Sequence, residues 1–178
     1  MATFYSADAK ASWRGDYTNV RSALHGAPSW VTVTMSVTSG QAVANNIFNL
    51  IKLDANTVVL DGYLKTTGID GHATATATMD LGYLSDADGD GDTDVIDFFV
   101  DGHSLGNAGA AAITNFDGND LGTSGPFYPV DTLTSDDSLN TGYFISAKLL
   151  GAVATAAAGT ITVGLLLAPK DGHSSASL

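Results

Sequence analysis

Between Trp30 and Thr38 every second residue is apolar: Val31, Val33, Met35 and Val37 alternate with Thr32, Thr34, Ser36 and Thr38. Side chains alternate across a strand with a period of two, so this pattern puts one apolar face against a core and one polar face toward water. No helix can present the same residues on one side. The same period returns in Ala73, Ala75, Ala77, Met79, Leu81 and Tyr83, with Thr74, Thr76, Thr78 and Asp80 between them. It returns again in Tyr143, Ile145, Ala147 and Leu149, and in Ile161, Val163, Leu165 and Leu167. Ile47 to Leu53 and Thr57 to Lys65 read as two further strands, Val58, Leu60 and Leu64 sharing a face and Asp54, Ala55 and Asn56 making the turn between them. Seven or eight such strands, with turns every eight to twelve residues, predict an all-β fold. The expected architecture is an antiparallel β-sandwich, jelly-roll-like or immunoglobulin-like.

Composition supports the strand pattern and removes several functions. All nineteen acidic residues are Asp, against seven Lys and Arg, and there are twenty Gly. Asp, Gly, Thr, Ser and Asn favour turns and strand ends over helix interiors. With no cysteine there is no disulfide, thiolate ligand or thiol nucleophile. A formal net charge of −12 disfavours nucleic acid and anionic lipid as partners, since both require clustered cations. The four histidines, His25, His72, His103 and His173, stand apart in polar or Gly-rich settings and are expected at the surface or in capping positions. No HExxH, GxSxG or phosphate-binding glycine pattern occurs, and no Glu is available to pair with an Asp as a raised-pKa acid. An enzyme is not expected.

Organisation along the chain is simple. Residues 1–29 carry Lys10, Arg14 and Arg21 interleaved with Trp13 and Tyr17 and show no period, which predicts an extended N-terminal arm, although Asp16 to Leu24 is compatible with a packed helix. Residues 30–169 form the β-sandwich domain, and 170–178 a polar C-terminal tail. Met1 to Ser12 lacks the apolar run of a signal peptide, so export by that route is not expected. Leu149 to Pro169 is uncharged over twenty-one residues, but three Gly, three Thr and the alternation in its second half favour a buried hairpin, turning near Ala156 to Gly159, over a membrane span. Val95, Ile96, Phe98, Phe99 and Val100 form one helical turn or a buried edge, and Gly102 to Pro129 reads as a long surface region.

One loop carries explicit chemistry. Asp86, Asp88, Asp90, Asp92, Asp94 and Asp97 occupy positions 1, 3, 5, 7, 9 and 12 of a twelve-residue segment, with Gly91 at position 6. That spacing is the calcium-loop spacing, with glycine where the chain turns around the ion. Carboxylates about 5 Å apart repel by about 3 kcal/mol per pair at an effective dielectric near 20, and a divalent cation cancels that repulsion. Asp97 at position 12 replaces the bidentate glutamate of a calcium sensor, and Thr93 at position 8 replaces an apolar residue. The loop more closely resembles the calcium loop of dockerin modules, which accept Asp at position 12, although dockerins carry two loops and this chain has one. Preceded by a strand, a Ca2+ ion here would act as a structural staple.

Five phrases taken in order resemble a family of structural proteins of tailed-bacteriophage particles, the head decoration (cement) and related capsid-associated proteins. They are Asn46 to Leu53, Asp54 to Thr66, Met79 to Tyr83, Asp97 to Gly106 and Ala154 to Leu167. The resemblance spans about residues 30 to 168 and is one of strands and turns rather than of a chemical signature. It implies a β-sandwich on the outer surface of the virion capsid, made in the host cytoplasm, acting as a homotrimer that binds and stabilises the major capsid protein. It brings no catalytic residue. The arm residues Trp13, Arg14, Tyr17 and Arg21 suit docking on such a surface, because Arg and aromatic side chains dominate interface hot spots. Two rival readings are an extracellular calcium-stabilised carbohydrate-binding or adhesion module, presenting Trp13, Trp30, Tyr128 and Tyr143, and a self-assembling jelly-roll capsid subunit.

The loop generates a direct test. Calcium is expected to raise the melting temperature and a chelator to remove the gain, with Asp88→Asn combined with Asp90→Asn abolishing the response. An unchanged response in that variant places any ion elsewhere.

Overall fold

Strands alternate between two sheets because each has one strongly apolar face to bury. The computed structural model describes residues 2–6, 28–53, 57–74, 76–84, 95–106, 109–116 and 143–169. Within them lie β1 (Thr3–Tyr5), β2 (Ser29–Val37), β3 (Ile47–Leu53), β4 (Thr57–Thr67), β5 (Thr78–Leu84), β6 (Val95–Ser104), β7 (Ala112–Asn115), β8 (Tyr143–Leu150) and β9 (Gly159–Pro169). One sheet has the order β1-β3-β8-β5-β6 and the other β2-β9-β4-β7. All pairs are antiparallel except β1 with β3, which is parallel. From β2 to β9 the chain crosses from sheet to sheet at every step but one, the β5–β6 hairpin. That winding is jelly-roll-like, and it decides against the immunoglobulin-like alternative, whose sheets group the strands differently.

The inner faces carry the expected alternation. Val33, Met35 and Val37 of β2, Ile161, Val163, Leu165 and Leu167 of β9, and Tyr143, Ile145, Ala147 and Leu149 of β8 all join one buried cluster. Each large aliphatic side chain so buried contributes about 1.5–3 kcal/mol relative to exposure. The Tyr143 hydroxyl donates to the Thr57 carbonyl at 3.0 Å, tying β8 of one sheet to β4 of the other.

Several expectations are corrected. Asp54 to Asn56 do not join a hairpin, because β3 pairs with β1 and β8 while β4 pairs with β9 and β7. The two strands of the uncharged stretch also fall in different sheets, so residues 151–158 cross the sandwich edge instead of closing a hairpin. In β4 a bulge between Val59 and Asp61 shifts the phase, and Val59, not Val58 or Leu60, shares the core with Leu64. The strand expected over Ala73 to Tyr83 begins only at Thr78. Asp70 Oδ1 accepts the His72 amide at 2.9 Å, an Asx turn that keeps the preceding residues out of the ladder. Nor is β5 half-buried: it lies between β8 and β6, and Asp80 on its outer face is 5% exposed. Val95 to Val100 belong to β6, the sheet-edge alternative to a helical turn, and β7 lies inside the region read as surface loop. At the start of the segment read as an arm, residues 3–5 form β1; residues 7–27 lie outside the described residues.

The outer face of the five-stranded sheet is also buried. Ile47, Leu84 and Phe144 form a second apolar cluster with Ile96 packed on it, and the Lys52 ammonium stands 5.5 Å from the Phe144 ring centroid. Burial lowers the Lys52 pKa below its ordinary value. Gly82 sits on this face where β6 passes close above it, and a Cβ there would overlap the Val95 carbonyl oxygen and the Ile96 backbone. Gly82→Ala is therefore expected to destabilise the fold by about 3 kcal/mol in chemical denaturation. Gly40, where a Cβ meets nothing within 4 Å, supplies the control: Gly40→Ala should leave stability nearly unchanged.

Candidate functional site

Cross-strand pairing lays out the exposed face of the four-stranded sheet in rows. Trp30 is opposite Leu166, which is opposite Asp61. The next row runs Thr32, Gly164, Tyr63, Asn115, and the third Thr34, Thr162, Lys65, Ile113. Trp30 is 56% exposed and Ile113 61% exposed, large values for apolar side chains. Gly164 has no Cβ because one would strike the Tyr63 ring, which lies across that position. The ring thereby comes within 6.4 Å of the Trp30 ring, centroid to centroid, at an interplanar angle of 36°. Thr34 and Thr162 share a hydroxyl hydrogen bond of 2.9 Å beside this pair. The result is a sheet face rich in Thr, carrying one Asp and one Lys, with an aromatic pair at one end.

The Asp-rich segment occupies a defined place in the fold. Tyr83 and Val95 are cross-strand partners, so residues 85–94 connect adjacent ends of the β5–β6 hairpin. Asp86, Asp88, Asp90, Asp92 and Asp94 lie outside the described residues. Asp97 is exposed on β6, near Asp80 and Asp101. Burial raises the pKa of Asp80 above its ordinary value; the Gly102 amide, donating to Oδ1 at 2.8 Å, opposes this, Asp101 and Asp97 add to it and Lys148 opposes it. Among the described residues no group of three or more His, Asp or Glu side chains is placed to hold a metal ion.

The arm residues Trp13, Arg14, Tyr17 and Arg21 also lie outside the described residues, as do Tyr128, His25 and His173. Tyr143 is wholly buried and takes no part in any exposed aromatic platform. No described helix is long and apolar enough to cross a membrane.

Two polar centres escaped the sequence reading. His103, expected at the surface, is 2% exposed and stands between the sheets. Its Nε2 lies 2.8 Å from Thr66 Oγ1 on β4, and its Nδ1 2.7 Å from Thr114 Oγ1 on β7. In the neutral ring one nitrogen donates and the other accepts, and hydroxyls satisfy either tautomer. Gly102 and Ser104 beside it gave no apolar signal. The second centre is Asp70, wholly buried, whose Oδ1 also accepts the Thr155 amide at 3.3 Å and whose carbonyl accepts the Gly109 amide at 3.0 Å. The Asp-Gly pair at 70–71 was the available sign of a turn.

The fold so assembled defines a class, the jelly-roll sandwich. Among solved structures it is similar to a chain of the capsid of Ralstonia phage GP4, at 16% identity and a TM-score of 0.62, covering 94% of this chain and 97% of that one. It is also similar to a chain of the capsid asymmetric unit of cyanophage Pam1, at 16% identity and a TM-score of 0.56, covering 80% and 84%. At this identity the likeness is one of fold. No protein-family model and no curated protein sequence matches the chain.

Burial pushes the His103 pKa down from its ordinary 6.5 to about 4. The unfolded chain therefore binds a proton that the folded chain refuses between these values. Stability is full above about pH 6.5 and falls, by up to about 2 kcal/mol, as the pH drops toward 4. Urea denaturation across that window is expected to show the loss in the native chain and a smaller one in His103→Gln. Parallel pH profiles for the two would remove His103 from the account.

Proposed function

We propose that the chain is a structural protein of a bacteriophage virion that decorates the outer surface of an icosahedral capsid, binding and stabilising the major capsid protein as a homotrimer. The observation that carries this reading is the reciprocal fit to the GP4 capsid chain, which takes in nearly the whole of both chains. A fold shared over nearly all of both chains supports a component of the shell. The chain's chemistry is in keeping, since its buried polar groups, His103, Asp70 and the Tyr143 hydroxyl, bond loops and sheets to one another.

In this reading Trp13, Arg14, Tyr17 and Arg21 dock on the capsid, supplying hot-spot side chains from an otherwise acidic protein. The Asp86 to Asp97 segment, joining β5 to β6, takes a calcium ion as a staple at the connected end of the hairpin. The protein is not an enzyme, and its site of action is the virion surface. The exposed Trp30–Tyr63 pair favours one rival, a carbohydrate-binding module, since pyranose rings stack on such surfaces.

Co-sedimentation of the purified chain with shells of the major capsid protein tests the proposal. Saturable binding is expected, in multiples of three copies, and replacement of Trp13, Arg14, Tyr17 and Arg21 by Ala should weaken it at least tenfold without lowering the melting temperature. Closed shells formed by the chain alone would establish a capsid subunit instead. Binding to a glycan array but not to shells would establish the carbohydrate-binding reading.

A further inference from the structure

Strand β2 ends its sheet without any of the devices that usually protect an edge. Among the described strands it pairs only with β9, in an unbroken register of nine residues from Ser29 opposite Leu167 to Val37 opposite Gly159. Its sequence, SWVTVTMSV, contains no charge and no proline, and the ladder contains no bulge. Charges, prolines, bulges and shortness are the means by which edges are kept from pairing with another chain. β7, at the opposite edge of the same sheet, has only four residues, and β6, at the edge of the other sheet, carries Asp97 and Asp101 and meets β5 with two register shifts. Among the described edge strands, β2 alone is long, regular and neutral.

We infer that the edge of β2 that no described strand covers pairs with the β2 edge of a second copy of this chain, antiparallel about a twofold axis, joining the two four-stranded sheets into one of eight strands. Charge selects the occupant. Two copies carry −12 each, and contact through Asp-bearing surface sets carboxylate against carboxylate. A contact through β2 brings no like charges together.

The sequence of the strand is also compatible with its own reversal. In the register that uses all nine residues, Val33 faces Val33 of the other copy, Val31 faces Met35, Thr32 faces Thr34, and Trp30 faces Ser36. Odd positions meet odd positions, so the core-facing side chains of both copies stay on one side of the joined sheet and the exposed ones on the other. Thr opposite Thr is a favourable cross-strand pair, and small Ser36 leaves room for the exposed Trp30 ring. The contact goes beyond the capsid reading, since it needs no shell, and a twofold pairing is distinct from the threefold contact proposed above.

Sedimentation equilibrium of the full chain over a concentration series tests it. The species at high concentration is expected to have twice the mass of its counterpart in a Thr32→Asp, Thr34→Asp double variant, in which Asp faces Asp at two places and association weakens at least tenfold. Thr32→Lys combined with Thr34→Asp, which sets Lys against Asp across the axis, should restore it. In a Trp13→Phe background, Trp30 emission should shift to the blue on association. Hydrogen exchange should slow at alternate amides of β2. A wild-type chain that never doubles, or one that doubles equally in the double Asp variant, overturns the inference. So does protection of β2 only on capsid shells, which would assign the edge to the shell protein. Loss of shell binding with doubling intact would fail the capsid reading and leave this one standing.

Discussion

The inner faces of two sheets bury one another, and every other arrangement in the molecule follows from that contact. Each face alone is a row of Val, Ile, Leu and Met that cannot stay in water. Val33, Met35, Leu64, Ile161, Val163 and Leu165 from the four-stranded sheet enter the same cluster as Phe48, Leu50, Met79, Leu81, Ile145 and Leu149 from the five-stranded sheet. A chain that alternates sheets at nearly every connection makes most of its contacts between distant segments. The stability of any one strand therefore depends on strands far away in sequence. β9, the last described strand in sequence, lies between β2 and β4 in the smaller sheet.

Polar groups do a different job in the same space. Apolar packing sets the separation of the sheets but tolerates sliding, whereas hydrogen bonds between sheets have one register. His103 between Thr66 and Thr114, and the Tyr143 hydroxyl on the Thr57 carbonyl, are such bonds. Asp70 performs the equivalent service for the loops, binding the turn at His72, the segment at Thr155 and the backbone at Gly109. These three centres fix how the halves of the sandwich sit, and a buried neutral imidazole does so at a cost that appears only in acid.

How much of this was legible in the sequence depends on which physical quantity the pattern encodes. Alternation reports one-sided burial, and β2 and β9 were readable nearly to the residue because each has one apolar face over its length, while β8 showed the same inner row although Phe144 and Ser146 on its other face are buried too. Alternation does not report which sheet receives a strand. The connections at 54–56 and 151–158 were accordingly read as turns within a sheet when both pass between sheets. A bulge inverts the phase without leaving a mark in composition, which is why Val59 was missed in favour of Val58 and Leu60. β7 was hidden because its four residues alternate between half-buried and exposed amid Gly, Asn and Asp. The aromatic pair on the outer face joins Trp30 to Tyr63 across Gly164, and no local spacing encodes a contact made through a third strand. The Asp-rich segment was visible in the sequence as a spacing of carboxylates, and its position joining the β5–β6 hairpin was not.

Charge gives the fold its outward logic. With nineteen carboxylates and only seven basic side chains, most of the surface repels a like copy, and self-repulsion of that kind keeps a protein soluble at high concentration. In the proposed role, many copies stand on one surface and must nevertheless come close. Repulsion can be removed locally in two ways: by a cation held among the carboxylates, or by surface that carries no charge. The chain has a segment with the spacing for the first in Asp86 to Asp97, and surface of the second kind in β2. The inner face of β2 is already committed to the core, so a contact through its edge does not require the sandwich to open.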